Sequence, residues 1–118
     1  MAQPVVHFEI AGKDAKKTRA FYGKLFGWQY QVMDDMDYGL VGPAGEGSIG
    51  GGVCGAQPGA PRYVTFYVKV DSLAGSLRQA EALGGRTVLP PTPIPGHGAC
   101  AMFADPDGLV VGLFAEST

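Results

Sequence analysis

Apolar and polar residues along this chain follow two periodicities, and their order predicts strands and helices in a pattern that occurs twice. Residues 5–10 alternate as a half-buried strand does, and residues 14–28 then place apolar side chains at helical spacing. The same succession returns at residues 63–68 and 71–85. After each helix, Gly-, Pro- and Asp-containing breaks, the first of them at residues 34–35, separate three further predicted strands: 28–33, 38–42 and 49–54, then 86–89, 100–104 and 109–114.

Each predicted helix carries its own start and stop signals. Asp14 and Asp71 can each accept a hydrogen bond from an amide of the first helical turn. Gly27 and Gly84 can adopt the left-handed conformation that ends a helix. The predicted apolar stripes consist of Thr18, Phe21, Tyr22 and Leu25 in the first helix and of Leu73, Leu77 and Ala80 in the second.

The repeated order predicts an α+β fold of two tandem βαβββ modules. A chain of 118 residues has the size of one domain, so we expect a single domain over residues 1–118. Module one would span residues 1–55, the linker about 55–61 and module two 62–118. Because one helix covers only one face of each sheet, we expect a cupped mixed sheet around a cavity between the modules.

Composition narrows the classes of partner. A net charge of -2 and a pI near 5.5 argue against nucleic acid as a partner, because the sequence has no basic stripe that could bind a phosphate backbone. No apolar run approaches the length of about 20 residues that spans a bilayer, so we expect no membrane association. The first residues lack a signal-peptide pattern, which predicts a cytoplasmic protein. Cys54 and Cys100 have neither disulfide nor zinc spacing and are predicted to be buried small apolar residues.

Four segments of the sequence form a recognisable set: Val6–Ile10, the Phe-Tyr-Gly-Lys-Leu-Phe-Gly-Trp run at 21–28, the Leu-Gly-Gly stop at 83–85 and the Asp-Pro-Asp-Gly turn at 105–108. Together they resemble the vicinal oxygen chelate superfamily of glyoxalases, bleomycin resistance proteins and extradiol dioxygenases. The resemblance covers essentially the whole chain. It implies a divalent metal held by about four side chains, which acts as a Lewis acid on two neighbouring substrate oxygens. It also implies a homodimer.

The metal positions implied by the resemblance are mostly without ligands in this sequence. His7 matches the first position. The equivalent position in the second half falls on Thr65 or Val64, and the family glutamate of the last strand is replaced by Gly112. With Glu9 added from the same strand face, two ligands are available at most, whereas protein zinc sites have three or four. We therefore predict no family-type metal site and no cofactor.

Strand alternation predicts which side chains line the cavity. His7 and Glu9 would share the inward face, while Phe8 and Ile10 pack under the helix. In the second half, Phe66 and Val68 would support the core, and Gly112 would leave room for a ligand. The predicted lining consists of His7, Glu9, Tyr63, Thr65, Tyr67, His97, Gly112 and Phe114. For each of these residues an ordinary structural role is an open alternative.

Two residues near the second-half loop could carry chemistry. His97 could act as a general acid or base if it borders the cavity, although an exposed loop histidine is the alternative. Cys100 lies three residues further on, a spacing that does not establish contact between the two side chains. The sequence therefore leaves the catalytic residues unknown.

Three functions stay open at this point. The first is a small organic ligand bound in the cavity without the family metal, as in the bleomycin-resistance-like members. The second is a metal-dependent lyase, isomerase or dioxygenase, and the third is a catalytically silent interaction domain. Trp28, Tyr30 and Tyr38 are predicted to be exposed aromatics that could form a homodimer contact.

Overall fold

The computed structural model describes residues 2–33 and 36–118, which form an α+β fold of eight strands and two helices. The predicted βαβββ order is confirmed in both halves. The predicted break at residues 34–35 lies outside the described residues. In chain order the elements are β1 (Val5–Gly12), α1 (Ala15–Phe26), β2 (Tyr30–Met33), β3 (Tyr38–Val41), β4 (Gly50–Gly55), β5 (Tyr63–Lys69), α2 (Leu73–Ala82), β6 (Arg86–Pro93), β7 (Ala99–Ala104) and β8 (Val110–Ala115).

The chain divides into two compact units. The first unit is His7–Thr65, and the second consists of Phe66–Thr118 together with the chain up to Val6. In the first unit the strand order is β2-β3-β4-β1, with β1 parallel to β4 and the other pairs antiparallel. In the second unit the order is β5-β8-β7-β6, with β5 parallel to β8. Each unit therefore has a mixed sheet, while the single-domain organisation stays a prediction.

The two helices begin at different kinds of cap. Asp14 caps α1 as predicted, because its carboxylate accepts from the amide of Lys17 at 3.2 Å. The prediction for Asp71 is wrong: the hydroxyl of Ser72, directly before α2, accepts from the amide of Gly75 at 3.0 Å. Gly27 ends α1 in the left-handed region, and Gly84 adopts positive φ just after α2. Within the described ranges, neither helix has the length and apolar character needed to cross a membrane.

The second helix packs as predicted, and the first does so only in part. Leu73 and Leu77 are buried in a core formed with Val70, Ala99, Ala101, Leu113 and Ala115. In α1 the buried residues are Ala15 and Arg19, whereas Phe21 is 60% exposed and Leu25 is 59% exposed. The predicted apolar stripe of α1 is therefore buried only in part, since Thr18 and Tyr22 are half-buried while Phe21 and Leu25 are exposed. Phe66, 41% exposed, does not support the core as predicted, although Val68 does.

Strand β6 of the second unit ends later than the sequence predicts. The strand predicted at 86–89 continues to Pro93, with register shifts on both sides of Leu89. Prolines are tolerated there because β6 lies at the edge of its sheet and has irregular pairing. The turn at 105–108 is confirmed: the Asp105 carboxylate accepts from the amides of Asp107 and Leu109, each at 2.9 Å, and Gly108 adopts positive φ.

Candidate functional site

Four polar side chains of the first unit form a continuous hydrogen-bonded cluster. His7 Nε2 lies 2.9 Å from the hydroxyl of Tyr38. That hydroxyl donates to Glu9 Oε1 at 2.8 Å, and the hydroxyl of Tyr63 donates to Glu9 Oε2. Glu9 is only 5% exposed, and the other three residues are half-buried. We call these residues, His7, Glu9, Tyr38 and Tyr63, the polar cluster.

The direction of the hydrogen bonds defines the state of His7. Because Tyr38 donates its one hydroxyl hydrogen to Glu9, its oxygen is left to accept from His7, so Nε2 carries the hydrogen. Burial lowers the pKa of His7 below its ordinary value, and the negative charge of Glu9 opposes this shift in part. The cluster therefore contains a neutral imidazole that donates toward a buried carboxylate.

Strand positions explain how the four residues meet. His7 and Glu9 are two residues apart on β1 and share one sheet face, as predicted. Tyr38 is the first residue of β3, and β4 lies between β3 and β1. Gly52 of β4 is the register partner of Glu9, and a Cβ on this glycine would overlap the phenol ring of Tyr38. The ring of Tyr38 thus crosses β4 above a residue without a side chain.

The opposite face of the first unit is aromatic. Phe8 packs against Trp28 with ring centroids 5.1 Å apart, and a Cβ on Gly51 would overlap the Phe8 ring. Trp28 also contacts Tyr22 and Phe26 at centroid distances of 5.6 Å and 5.3 Å. Alternation along β1 therefore separates the polar cluster from a partly exposed aromatic cluster, as the sequence predicts for Phe8.

The prediction of an exposed surface formed by Trp28, Tyr30 and Tyr38 is wrong. All three residues are half-buried. Tyr38 belongs to the polar cluster, and the hydroxyl of Tyr30 donates to the carbonyl of Arg19 at 2.9 Å. Their hydroxyls and the Trp28 ring make contacts inside the unit because the sheet folds these aromatic side chains over glycines and helix α1. The homodimer stays a prediction without this surface as its support.

Arg19 is a buried cation that the sequence analysis missed. It is 7% exposed, and its Nη2 lies 2.8 Å from Oδ1 of Asp37. Its Nη1 donates to the carbonyl of Asp37 at 3.1 Å. The residue after Asp37 is Tyr38, so Arg19 holds the backbone that leads into the polar cluster. In the sequence Arg19 stands among Lys16, Lys17 and Lys24, so it is easily taken for part of a solvent-exposed helix face.

The other predicted lining residues are divided between the units. Thr65, in the first unit, is buried. In the second unit, Tyr67 is buried and its ring fills the space that a Cβ on Gly112 would occupy. The prediction that Gly112 leaves room for a ligand is therefore wrong, since the missing side chain accommodates Tyr67. Phe114 is half-buried on β8, and His97 is exposed in a turn where its amide donates to Ile94 at 2.8 Å.

The two cysteines differ in their surroundings. Cys54 is buried, as predicted, and burial raises the pKa of its thiol to about 12, with the charge of Glu9 adding to the effect. Such a thiol is a poor nucleophile at neutral pH. Cys100 is only half-buried, so the prediction of burial is wrong for it. Both cysteines are free thiols.

The residues present do not fit the divalent metal that the resemblance implies. His7 Nε2 and both carboxylate oxygens of Glu9 have phenol partners, and Gly112 offers no donor atom. Within residues 2–33 and 36–118, no three His, Cys, Asp or Glu side chains form a group that could hold a metal ion. A hard divalent ion needs several convergent oxygen or nitrogen ligands. Function without a metal stays a prediction.

Comparison with known proteins places these features in a family. Residues 5–113 match the sequence model of the Glyoxalase/Bleomycin resistance protein/Dioxygenase superfamily. The chain is 30% identical over 97 residues to CFP32 of Mycobacterium tuberculosis, a protein named as a glyoxylase. The match covers 80% of this chain and 37% of that protein. It is 28% identical to the anthracycline biosynthesis protein DnrV of Streptomyces peucetius, covering 92% and 46%. The chain thus spans less than half the length of these relatives.

Solved structures share the fold at low sequence identity. A glyoxalase/bleomycin resistance protein/dioxygenase superfamily member from Vibrio splendidus 12B01 matches with a TM-score of 0.63 and 16% identity, over 97% of this chain and 99% of that one. Methylmalonyl-CoA epimerase from Mycobacterium tuberculosis matches with a TM-score of 0.62 and 16% identity, over 97% and 88%. With the repeated βαβββ order and the match over residues 5–113, the chain belongs to the Glyoxalase/Bleomycin resistance protein/Dioxygenase superfamily.

Proposed function

We propose that this protein binds a small, flat and partly apolar organic molecule at the polar cluster, and that it does so without a metal. The observation that carries the proposal is the chain of hydrogen bonds from His7 through Tyr38 to the buried Glu9 and on to Tyr63. These residues sit on strands of one unit, and rigid elements hold binding groups in fixed positions better than loops do.

The cluster has the chemistry of a hydrogen-bond acceptor framed by aromatic rings. Burying the Glu9 carboxylate costs free energy, and the two phenol donors offset that cost. Carboxylate and phenol oxygens are hydrogen-bond acceptors, so they favour a ligand that carries N–H or O–H donors. The neutral His7 adds no positive charge that would attract an anion. We therefore expect donor-bearing aromatic molecules to bind better than aromatic carboxylates.

A thermal-shift series on metal-free protein tests this proposal. The probes benzylamine, catechol, toluene and benzoate share one ring and differ in the group that meets the cluster. We expect benzylamine or catechol to raise the unfolding temperature in a saturable manner, because a ligand of the folded state stabilises it. The shift should vanish in Glu9→Gln and Tyr63→Phe and persist in Glu46→Gln, which changes an exposed carboxylate. Binding that is indifferent to Glu9→Gln would contradict the proposed site.

The alternative function is that of a metal-dependent lyase, isomerase or dioxygenase. It is favoured by the shared strand face of His7 and Glu9 and by the similarity to a protein named as a glyoxylase. The test is to incubate the protein with Ni²⁺, Zn²⁺, Mn²⁺ or Fe²⁺, remove free metal by gel filtration and measure what is retained. Stoichiometric metal that is lost in His7→Ala would replace the metal-free proposal. If the protein binds neither a metal nor any of the probes, that result would favour a silent interaction domain.

A further inference from the structure

We propose that Gly52 is a positioning residue, which keeps open the space through which Tyr38 places its hydroxyl between His7 and Glu9. The expected effect of Gly52 on ligand binding rests on the proposed function. The placement of the Tyr38 hydroxyl in the polar cluster does not depend on that function. The residue is part of a run of three glycines, Gly50–Gly52, that offers no side-chain ligand or catalytic group.

The overlap at Gly52 involves the part of Tyr38 that carries the chemistry. A Cβ built on Gly52 would overlap Cε1, Cζ and the hydroxyl oxygen of Tyr38. The ring is rigid, so it could relieve this overlap only by moving its hydroxyl end. That end holds both the 2.9 Å contact to His7 and the 2.8 Å hydrogen bond to Glu9. Any side chain at position 52 therefore competes with the two contacts that define the cluster.

Backbone conformation does not by itself require glycine at this position. Gly52 has no positive φ, so an alanine would fit its backbone, and the same holds for Gly51. A Cβ on Gly51 would overlap the ring of Phe8, which lies on the other face of the sheet. The two adjacent glycines therefore seat two aromatic rings on opposite faces. Gly51 is a matched control, because its substitution displaces the Phe8 ring, whose centroid lies 6.4 Å from that of His7, and leaves the Tyr38 ring in place.

The second unit by itself contains a related arrangement, in which the tyrosine lies on the strand parallel to the glycine strand rather than on an antiparallel one. Tyr67 of β5 is the register partner of Gly112 of β8, and a Cβ on Gly112 would overlap the Tyr67 ring. Each unit thus seats a tyrosine ring over a glycine of its last strand. A metal-ligating side chain at either glycine would need the space that the tyrosine ring occupies, so the two cannot be present together. This competition gives a physical reason for the glycine at position 112 of β8 in place of the family glutamate.

The test follows the pH titration of His7 by NMR. The protein has two histidines, so His97 in its exposed turn is an internal reference. In Tyr38→Ala, loss of the covering ring hydrates His7, and we expect its pKa to rise by about half a unit or more. Gly52→Ala should raise it in the same direction and should weaken probe binding. Gly51→Ala should leave the His7 titration at its wild-type position.

The possible outcomes separate this inference from the proposed function. An unchanged His7 titration in Gly52→Ala, with a changed one in Tyr38→Ala, would overturn the role of Gly52 and leave the proposed function standing. A shifted titration with unimpaired probe binding would support the positioning role and contradict the proposed binding site. If Gly52→Ala does not fold, the Gly52→Ala/Tyr38→Ala double variant should recover folding, because the colliding ring is gone. Failure of the double variant to recover would overturn the inference.

Discussion

At the scale of single residues, the polar cluster shows what strand alternation can and cannot predict. Alternation correctly placed His7 and Glu9 on one face of β1. It could not place Tyr38 beside them, since Tyr38 lies two strands away, a distance of about 9–10 Å in a sheet. A phenol spans that distance only when the strand between lacks a side chain. Gly52 was the signal in the sequence that could have revealed the contact.

The charge of Glu9 should be measurable at His7. In Glu9→Gln the negative charge that opposes the burial effect is gone, so we expect the pKa of His7 to fall further below its ordinary value. An NMR titration of the imidazole signals checks this, with the exposed His97 as the reference in the same sample. A His7 pKa that rises in Glu9→Gln would show that hydration, rather than lost attraction, dominates the change.

Burial of His7 also predicts how stability depends on pH. Because the pKa of His7 is lower in the folded state than its ordinary value of 6.5, the unfolded chain binds the proton more readily in the interval between the two values. The contribution of His7 to stability is therefore present above pH 6.5 and decreases as the pH falls below it. Urea unfolding of the wild type and of His7→Gln at pH 7.5 and 5.5 measures this. We expect the variant to lose less stability on acidification, and an equal loss would contradict the burial of His7.

At the scale of elements, helix α1 packs through an unexpected face. Its most apolar residues point away from the sheet, while Arg19 lies over β3, where a Cβ on Gly39 would overlap its side chain. Periodicity counts an arginine as solvent-facing and so missed that Arg19 belongs to the buried face. Helix α2 has no such buried charge, and its leucine stripe was predicted correctly. A glycine in the facing strand can therefore change which helix face is buried.

One substitution made in both helices tests these faces. Leu77→Ala removes a leucine that is 6% exposed, and it should lower the free energy of unfolding by about 2–5 kcal/mol. Leu25→Ala removes a leucine that is 59% exposed, and it should change that free energy by less than about 0.5 kcal/mol. Denaturant unfolding monitored by circular dichroism provides both values. A large loss in Leu25→Ala would show that α1 packs through its predicted stripe after all.

Arg19 should matter for the segment that leads to Tyr38. Arg19→Met keeps the length of the side chain but removes its donors to Asp37, so we expect a loss of about 1–3 kcal/mol in the free energy of unfolding. Lys16→Met changes an exposed cation of the same helix and should cost less than about 0.5 kcal/mol. Equal effects of the two substitutions in urea unfolding would contradict the structural role of Arg19.

At the scale of the whole molecule, the internal repeat was the strongest information in the sequence. Two copies of the same strand and helix periods predicted the α+β fold and the order of its elements. Strand ends were less predictable, since β6 runs through prolines that ordinarily mark a loop. The cavity between the modules, the homodimer and the cytoplasmic location stay predictions. The activities of the relatives belong to proteins more than twice as long as the matched region.

The most direct test of metal-free binding at the polar cluster is an NMR titration of chelator-treated protein with benzylamine or catechol. The account predicts that the signals of His7 shift saturably with ligand, that those of His97 stay fixed, and that added Zn²⁺ changes neither result. Saturation of the His7 signals should follow the same binding curve as the thermal shift. Ligand-induced shifts that arise only after a metal is added, or that leave the His7 signals unchanged, would contradict the account.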